Sequence, residues 1–267
     1  MNSSDPPERF ADVRRYVPLL ARHEGLARAV ERALEYPKIR EAFAAAAGMS
    51  NPFEEVARIL GLAIEIEGFE GSVPKEGPVV FVANHGHGGA DALALMAVMS
   101  RFRNDVRVLA NREVGLLEGL DRYLFPVSLM NETSAHDNIS SLRAMLKHLR
   151  GGGCLGVFPA GRVAYWSGDR MTDPPWNDHV IKLLQKMKAT IVPVWFYGSP
   201  PAALNFLSRL SPFLRTALIP TGLAWMRGKT IRARAGQSFP SDLLMAQGEG
   251  ASEWMRTNLE SLGDLGN

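Results

Sequence analysis

The chain has one cysteine, Cys154, among its 267 residues. An internal disulfide is excluded, and so are metal sites built from several thiolates. The lone thiol sits in the apolar segment GGGCLGVF and reads as an inert core residue of a reducing compartment. Charge of one sign is also scarce. Thirty Lys+Arg against 28 Asp+Glu leave a net charge of +2, too small a field to attract nucleic acid, so no nucleic-acid partner is expected. No stretch reaches the roughly eighteen uninterrupted apolar residues of a membrane-spanning helix. The opening MNSSDPPERF lacks the apolar centre of a signal peptide. Neither a transmembrane helix nor a signal peptide is expected. Repeats and low-complexity tracts are missing too. Histidine is rare, six in all, and two of the six fall within VANHGHGGAD at 82–91.

What is present suits a globular core: 46% of residues are hydrophobic and 22% charged, which argues against disorder. Residues 1–60 read as an N-terminal helical segment. Phe10, Val13, Tyr16, Val17 and Leu20 recur at helical spacing, as do Val30, Leu34, Phe43 and Ala46, and Asn51-Pro52 marks a helix start. The stripe suits packing on the main domain; with Arg14, Arg15, Arg22 and Arg28 beside it, it also suits a membrane surface. Residues 61–267 read as one α/β domain. Strands are expected at LAIEIEG, PVVFVA (78–83), DVRVLA (105–110), FPVSLM (125–130), CLGVFP (154–159), TIVPVWFYG (190–198) and KTIRARAG (229–236). Helices are expected at 92–102, over EVGLLEGLDRYL, at 136–150 and at 179–188. The alternation predicts a mixed, largely parallel sheet flanked by helices. Residues 160–178 form a long loop of the kind that carries function.

VANHGHGGAD follows a buried strand and precedes a helix, where open α/β sheets gather their reactive groups. Its glycines let the backbone approach a substrate closely. A histidine there takes a proton near neutral pH, and a carboxylate fixes its tautomer. Spacing favours His87 as the partner of Asp91, because residues four apart share a helix face. His85 is six residues from Asp91 and needs the glycines to fold the chain back.

Asn84-His85 after a strand, with Asp91 at the next helix start, resembles the His-Asp block of the lysophospholipid acyltransferase superfamily, of the 1-acylglycerol-3-phosphate type. NHGHGGAD is most similar to its bacterial hemolysin-like, or ornithine-lipid-type, branch. The usual interval there is four residues between His and Asp; here it is five. Further on, DVRVLANR (105–112) resembles the second block. GGGCLGVFPAGRVAYW resembles the third, with Ala160 where relatives carry Glu. TIVPVWFYG resembles the fourth. The likeness covers about residues 60 to 236.

The resemblance implies an acyltransferase that moves a fatty acyl group from acyl-CoA or acyl carrier protein to a hydroxyl of a lyso-lipid, a glycerolipid or an aminolipid. It makes His85 the general base and Asp91 its partner, with no cofactor beyond the acyl co-substrate. Arg162 becomes the anchor for an anionic headgroup, with Gly161, Phe158, Pro159, Arg112 and Asn84 around the substrate. A tetrahedral oxyanion needs donors, and backbone N–H groups around Gly86, Gly88 and Gly89, or near Gly161, are the candidates. The absence of a G-x-S-x-G elbow agrees with direct attack by the acceptor. Lipid substrates imply peripheral attachment to the cytoplasmic face of the membrane. Two other readings stay open: a non-catalytic lipid-binding protein on the same fold, favoured by Ala160 and the longer His-Asp interval, and a metal-dependent hydrolase using His85, His87 and Asp91.

Overall fold

The computed structural model describes residues 10, 12–15, 18–69, 73–127, 138–167, 170–198 and 221–264. The chain opens with helices α1 (Pro18–Ala21), α2 (Glu24–Ala33), α3 (Tyr36–Ala46) and α4 (Pro52–Ile59). Asn51 starts α4, its side chain accepting from the Glu54 N–H while its Nδ2 donates to Ala97 O. That second bond ties α4 to the helix α5 (Gly89–Phe102). The strands β1 (Ala63–Glu67), β2 (Val79–Ala83), β3 (Val106–Asn111), β4 (Leu124–Val127), β5 (Cys154–Val157), β8 (Thr190–Phe196) and β9 (Thr230–Ala235) build one sheet in the order β1-β9-β8-β2-β5-β3-β4, with β10 (Phe239–Pro240) paired to β8. β8, β2, β5, β3 and β4 run parallel. β9 joins β8 antiparallel and β1 lies parallel to β9. The sheet is thus mixed and largely parallel, as the alternation predicts.

Every residue of β2 is buried, as a central strand covered on both faces must be. On one face Tyr36, Ile39, Phe43, Phe53 and Val56 of the N-terminal helices pack with Phe81, Leu95, Val194 and Phe196. The apolar stripe of α3 and α4 therefore faces the core. The other face meets α6 (Ile139–Arg150), α7 (Asp178–Gln185) and the C-terminal helix α10 (Ala251–Asp264), through Met145, Leu149, Ile181, Leu184, Met255 and Leu259. Cys154 lies in the core, where burial pushes its thiol up to about 12; it is an unreactive thiol at neutral pH. Among the described residues, no helix is long and apolar enough to cross a membrane.

Several segments differ from the sequence reading. EVGLLEGLDRYL forms short 3-10 turns at Arg112–Leu116 and Asp121–Tyr123 rather than a helix. Gly119 explains the break: it sits at φ +76° against Ala47, a conformation costly to side chains. Residues 128–137, including the end of the FPVSLM strand, His136 and Asp137, lie outside the described residues. The loop at 160–178 contains a hairpin, β6 (Tyr165–Ser167) with β7 (Arg170–Thr172). The helices α8 (Thr221–Met226), α9 (Asp242–Ala246) and α10 were not anticipated; the buried residues of α10 are Ala251, Met255 and Leu259.

Arg103 staples the amino edge of the sheet. Its guanidinium donates to both Asp105 oxygens (2.9 and 2.6 Å), to Pro74 O and Gly77 O before β2 (3.2 and 3.0 Å), and to Gly152 O before β5 (2.6 Å). Its side chain is 6% exposed, so removing it strands several carbonyls. Arg103→Ala is expected to lose about 3 kcal/mol, read as a lower urea midpoint at unchanged slope. An unchanged midpoint would mean that water replaces the staple at no cost.

Candidate active site

The parallel strands bring the marked residues to one edge. β2 ends at Ala83, β5 at Val157 and β3 at Asn111. His85, the FPAGR segment and Arg112 therefore leave the sheet on the same side, the carboxyl side where α/β sheets hold ligands.

Asn84 comes first after β2. Its Nδ2 donates to Phe196 O at 3.0 Å and its Oδ1 accepts the Phe196 N–H at 2.6 Å. Both ends of the side chain are thus used to zip β2 to the end of β8. Asn84 is buried and belongs to the frame; the expectation of a substrate contact gives way to this geometry.

The next residues separate the two histidines. α5 is capped at Gly88, whose φ of 68° and ψ of −123° suit glycine alone. That turn folds the chain back across the start of α5. Asp91, in the first turn and fully buried, accepts the His87 N–H through Oδ2 at 2.6 Å, in the manner of a capping box. The same oxygen lies 3.4 Å from His85 Nδ1. The His87 ring points away, its Nε2 2.9 Å from Tyr197 O. Gly198 makes room for the ring and Gly222 for the main chain behind it: a Cβ on Gly198 would come within 3.0 Å of His87 Nε2, and one on Gly222 within 2.3 Å of His87 O. The ring that meets Asp91 is therefore that of His85. The helical-spacing expectation fails because His87 precedes α5 and only its main chain faces Asp91.

The His85 ring stacks on Phe158 at 4.3 Å between centroids. Its side chain is 16% exposed. Nε2 bonds to nothing among the described residues and, unlike Nδ1, is not enclosed. With Nδ1–H toward Asp91, the Nε2 lone pair faces solvent and any arriving hydroxyl. The 3.4 Å approach is long for a hydrogen bond, and Nδ1 is otherwise buried without a partner.

The FPAGR segment turns beside this ring. Gly161, at φ +61°, donates its N–H to Phe158 O at 2.9 Å. That N–H is closed within its own turn and is withdrawn as an oxyanion donor. Pro159 is buried and its carbonyl accepts the Asn177 N–H. Ala160 is buried in the core on the α7 side of the sheet. Arg162 and Arg112 are exposed, with no polar partner among the described residues. Among those residues, no three His, Cys, Asp or Glu side chains are grouped so as to hold a metal ion. Trp195 lies against Gly263 of α10 as a packing residue, and Trp176 is buried.

Asp173 was missed by sequence reasoning. Its Oδ1 accepts the His85 N–H at 3.3 Å and its Oδ2 the Trp176 indole N–H at 3.2 Å. Burial pushes its carboxyl above the usual aspartate range, and Asp91 acts the same way, while the His85 amide, the Trp176 N–H and the His85 ring pull it down. The only sequence signal was an aspartate inside the long loop 160–178.

The fold, a mixed and largely parallel sheet flanked by helices, has a counterpart among solved structures. The 1-acyl-sn-glycerophosphate acyltransferase PlsC of Thermotoga maritima matches with a TM-score of 0.53 at 18% identity, over 95% of this chain and 94% of that one. The likeness is one of fold. The sequence profile of the family described as Acyltransferase matches residues 17–238, and the chain belongs to that family, within the lysophospholipid acyltransferase superfamily. A lyso-glycine lipid O-acyltransferase of Phocaeicola vulgatus is 29% identical over 150 residues, 54% of this chain and 50% of that protein. One of Bacteroides thetaiotaomicron is 31% identical over 147 residues, 54% of this chain and 52% of that protein. The chain spans about half the length of these curated relatives.

Proposed function

We propose that the protein is an O-acyltransferase that moves a fatty acyl group from a thioester, acyl-CoA or acyl carrier protein, to the hydroxyl of a lyso-lipid with an anionic headgroup group. The observation that carries this reading is the His85 ring, with Nδ1 3.4 Å from the buried Asp91 carboxylate and Nε2 open. The acceptor hydroxyl gives its proton to His85 Nε2 as its oxygen attacks the thioester carbonyl. Asp91 holds the tautomer and stabilises the imidazolium. The tetrahedral intermediate then expels the thiolate, which takes the proton back from His85. No cofactor enters this sequence.

The relatives' names support a lyso-aminolipid acceptor such as a lyso-glycine lipid. Its carboxylate suits the exposed guanidiniums of Arg162 and Arg112 at the same edge of the sheet. Ala160 in place of the acidic residue of relatives fits an acceptor other than a glycerol phosphate. Such acceptors reside in membranes, so the reading includes peripheral membrane contact. Trp225 is 46% exposed with the Lys229 ammonium 3.7 Å from its ring centroid, an aromatic and cationic pair of the kind found at membrane interfaces.

In a thiol-release assay with an acyl thioester and a panel of lyso-lipids, His85→Ala is expected to lower turnover about 100- to 10,000-fold at unchanged melting temperature. His87→Ala is expected to lower the melting temperature first, because its ring ties the start of α5 to Tyr197. Turnover that survives in His85→Ala would sink the proposed base. Arg162→Ala is expected to raise KM for an anionic acceptor about tenfold with little change in kcat; equal KM values would remove Arg162 from headgroup binding. Trp225→Ala is expected to reduce co-sedimentation with anionic vesicles, and unchanged binding would clear this face of a membrane role.

A further inference from the structure

The hairpin inside the FPAGR–α7 segment grips His85 by its main chain. β6 and β7 pair antiparallel, with Tyr165 opposite Thr172 at the base. The residue just before β6, Ala164, donates its N–H to His85 O at 2.7 Å. The residue just after β7, Asp173, accepts the His85 N–H at 3.3 Å. The two feet of one hairpin therefore hold both main-chain polar groups of His85, from 88 residues away in the case of Asp173. The two grips differ in what they ask of the sequence. Ala164 uses a backbone N–H, which nearly any residue supplies. The other foot needs a side-chain acceptor of the right length. The buried Trp176 indole occupies the second carboxylate oxygen and so holds the Asp173 side chain in place.

The carboxylate is an awkward choice for stability alone. Burial raises its pKa, so the ionised form weakens the fold near neutral pH. A group kept against such a cost is explained by what it holds. What it holds is the peptide of the residue whose ring lies between Phe158 and Asp91.

We propose that Asp173 is a positioning residue for acyl transfer: through the His85 N–H it keeps the His85 ring aligned between Asp91 and the incoming hydroxyl. This rests on His85 being the base. Asp173 touches no reacting atom. Its loss moves the base by a fraction of an ångström to an ångström, which slows the chemical step and leaves acceptor binding to other residues.

Three variants test it in the thiol-release assay: Asp173→Ala, Asp173→Asn and Asp173→Asn with Trp176→Phe. Asp173→Ala is expected to lower kcat about 10- to 100-fold with acceptor KM within about twofold. Asp173→Asn keeps an acceptor oxygen for His85 but turns an amide NH2 toward the Trp176 N–H. It is expected to be impaired less. Removing that N–H in the double variant is expected to recover most of the lost kcat. A purely packing role for Asp173 predicts no such recovery, since the double variant disturbs the packing further. Wild-type kcat in Asp173→Ala overturns the proposal, and so does a double variant no faster than Asp173→Ala.

A second readout needs no turnover. The His85 ring Cε1–H resonance, assigned by its absence in His85→Ala, is expected to shift or broaden in Asp173→Ala and to return toward its wild-type position in the double variant. An unmoved resonance in Asp173→Ala overturns the proposal. If the wild-type protein turns over no substrate, the acyltransferase reading fails by itself and the resonance still decides the role of Asp173. If Asp173→Ala fails to fold, Asp173→Asn against the double variant carries the comparison.

Discussion

The carboxylate of Asp91 organises this edge of the molecule. It is fully buried at the start of α5, where the first-turn amides and the helix dipole favour negative charge. One of its oxygens faces both the His87 N–H and the His85 ring. The chain between β2 and α5 is thus wound around a single anion. With that anion in place, the glycine turn at Gly88 has a fixed path, His87 is turned into the protein and His85 is left with one nitrogen open.

Everything else around the site holds that winding in position. Asn84 zips β2 to β8 just before the turn. The His87 ring closes on Tyr197 at the end of β8. Gly198 permits this by lacking a side chain, and Gly222 gives room to the His87 main chain in the same way. From the other side, Phe158 covers the His85 ring and the β6–β7 hairpin grips the His85 main chain. The site is therefore assembled from β2, β5, β8 and the hairpin, all meeting at the carboxyl edge of a sheet whose opposite edge Arg103 ties down.

The interval between His85 and Asp91 is one residue longer than the superfamily's usual one, and the geometry absorbs the addition. His87 is turned into the protein as a buried, hydrogen-bonded residue, and Gly88 takes a backbone conformation suited to glycine. The replacement of an acidic residue by Ala160 is similarly absorbed, since Ala160 is buried in the core. With both departures present, His85 Nδ1 still lies 3.4 Å from the Asp91 carboxylate.

Local pattern alone determined most strands of the sheet, the N-terminal helices, the buried thiol and the placing of both histidines of VANHGHGGAD between a buried strand and a helix. Those features follow from short-range periodicity, caps and burial, which neighbouring residues encode. PVVFVA reads as a covered central strand, and Asn51-Pro52 as a helix start. The 3-10 turns after β3 were misread as a helix because apolar spacing outweighed Gly115 and Gly119. Which histidine meets Asp91 was beyond that level, because it depends on a positive-φ turn at Gly88 and on Tyr197, 110 residues away from His87. The fixing of Asn84 by Phe196 and the approach of Asp173 to His85 span 112 and 88 residues. Contacts of that range leave no periodic trace in a sequence; they exist only once parallel strands have brought distant loops to one edge of the sheet.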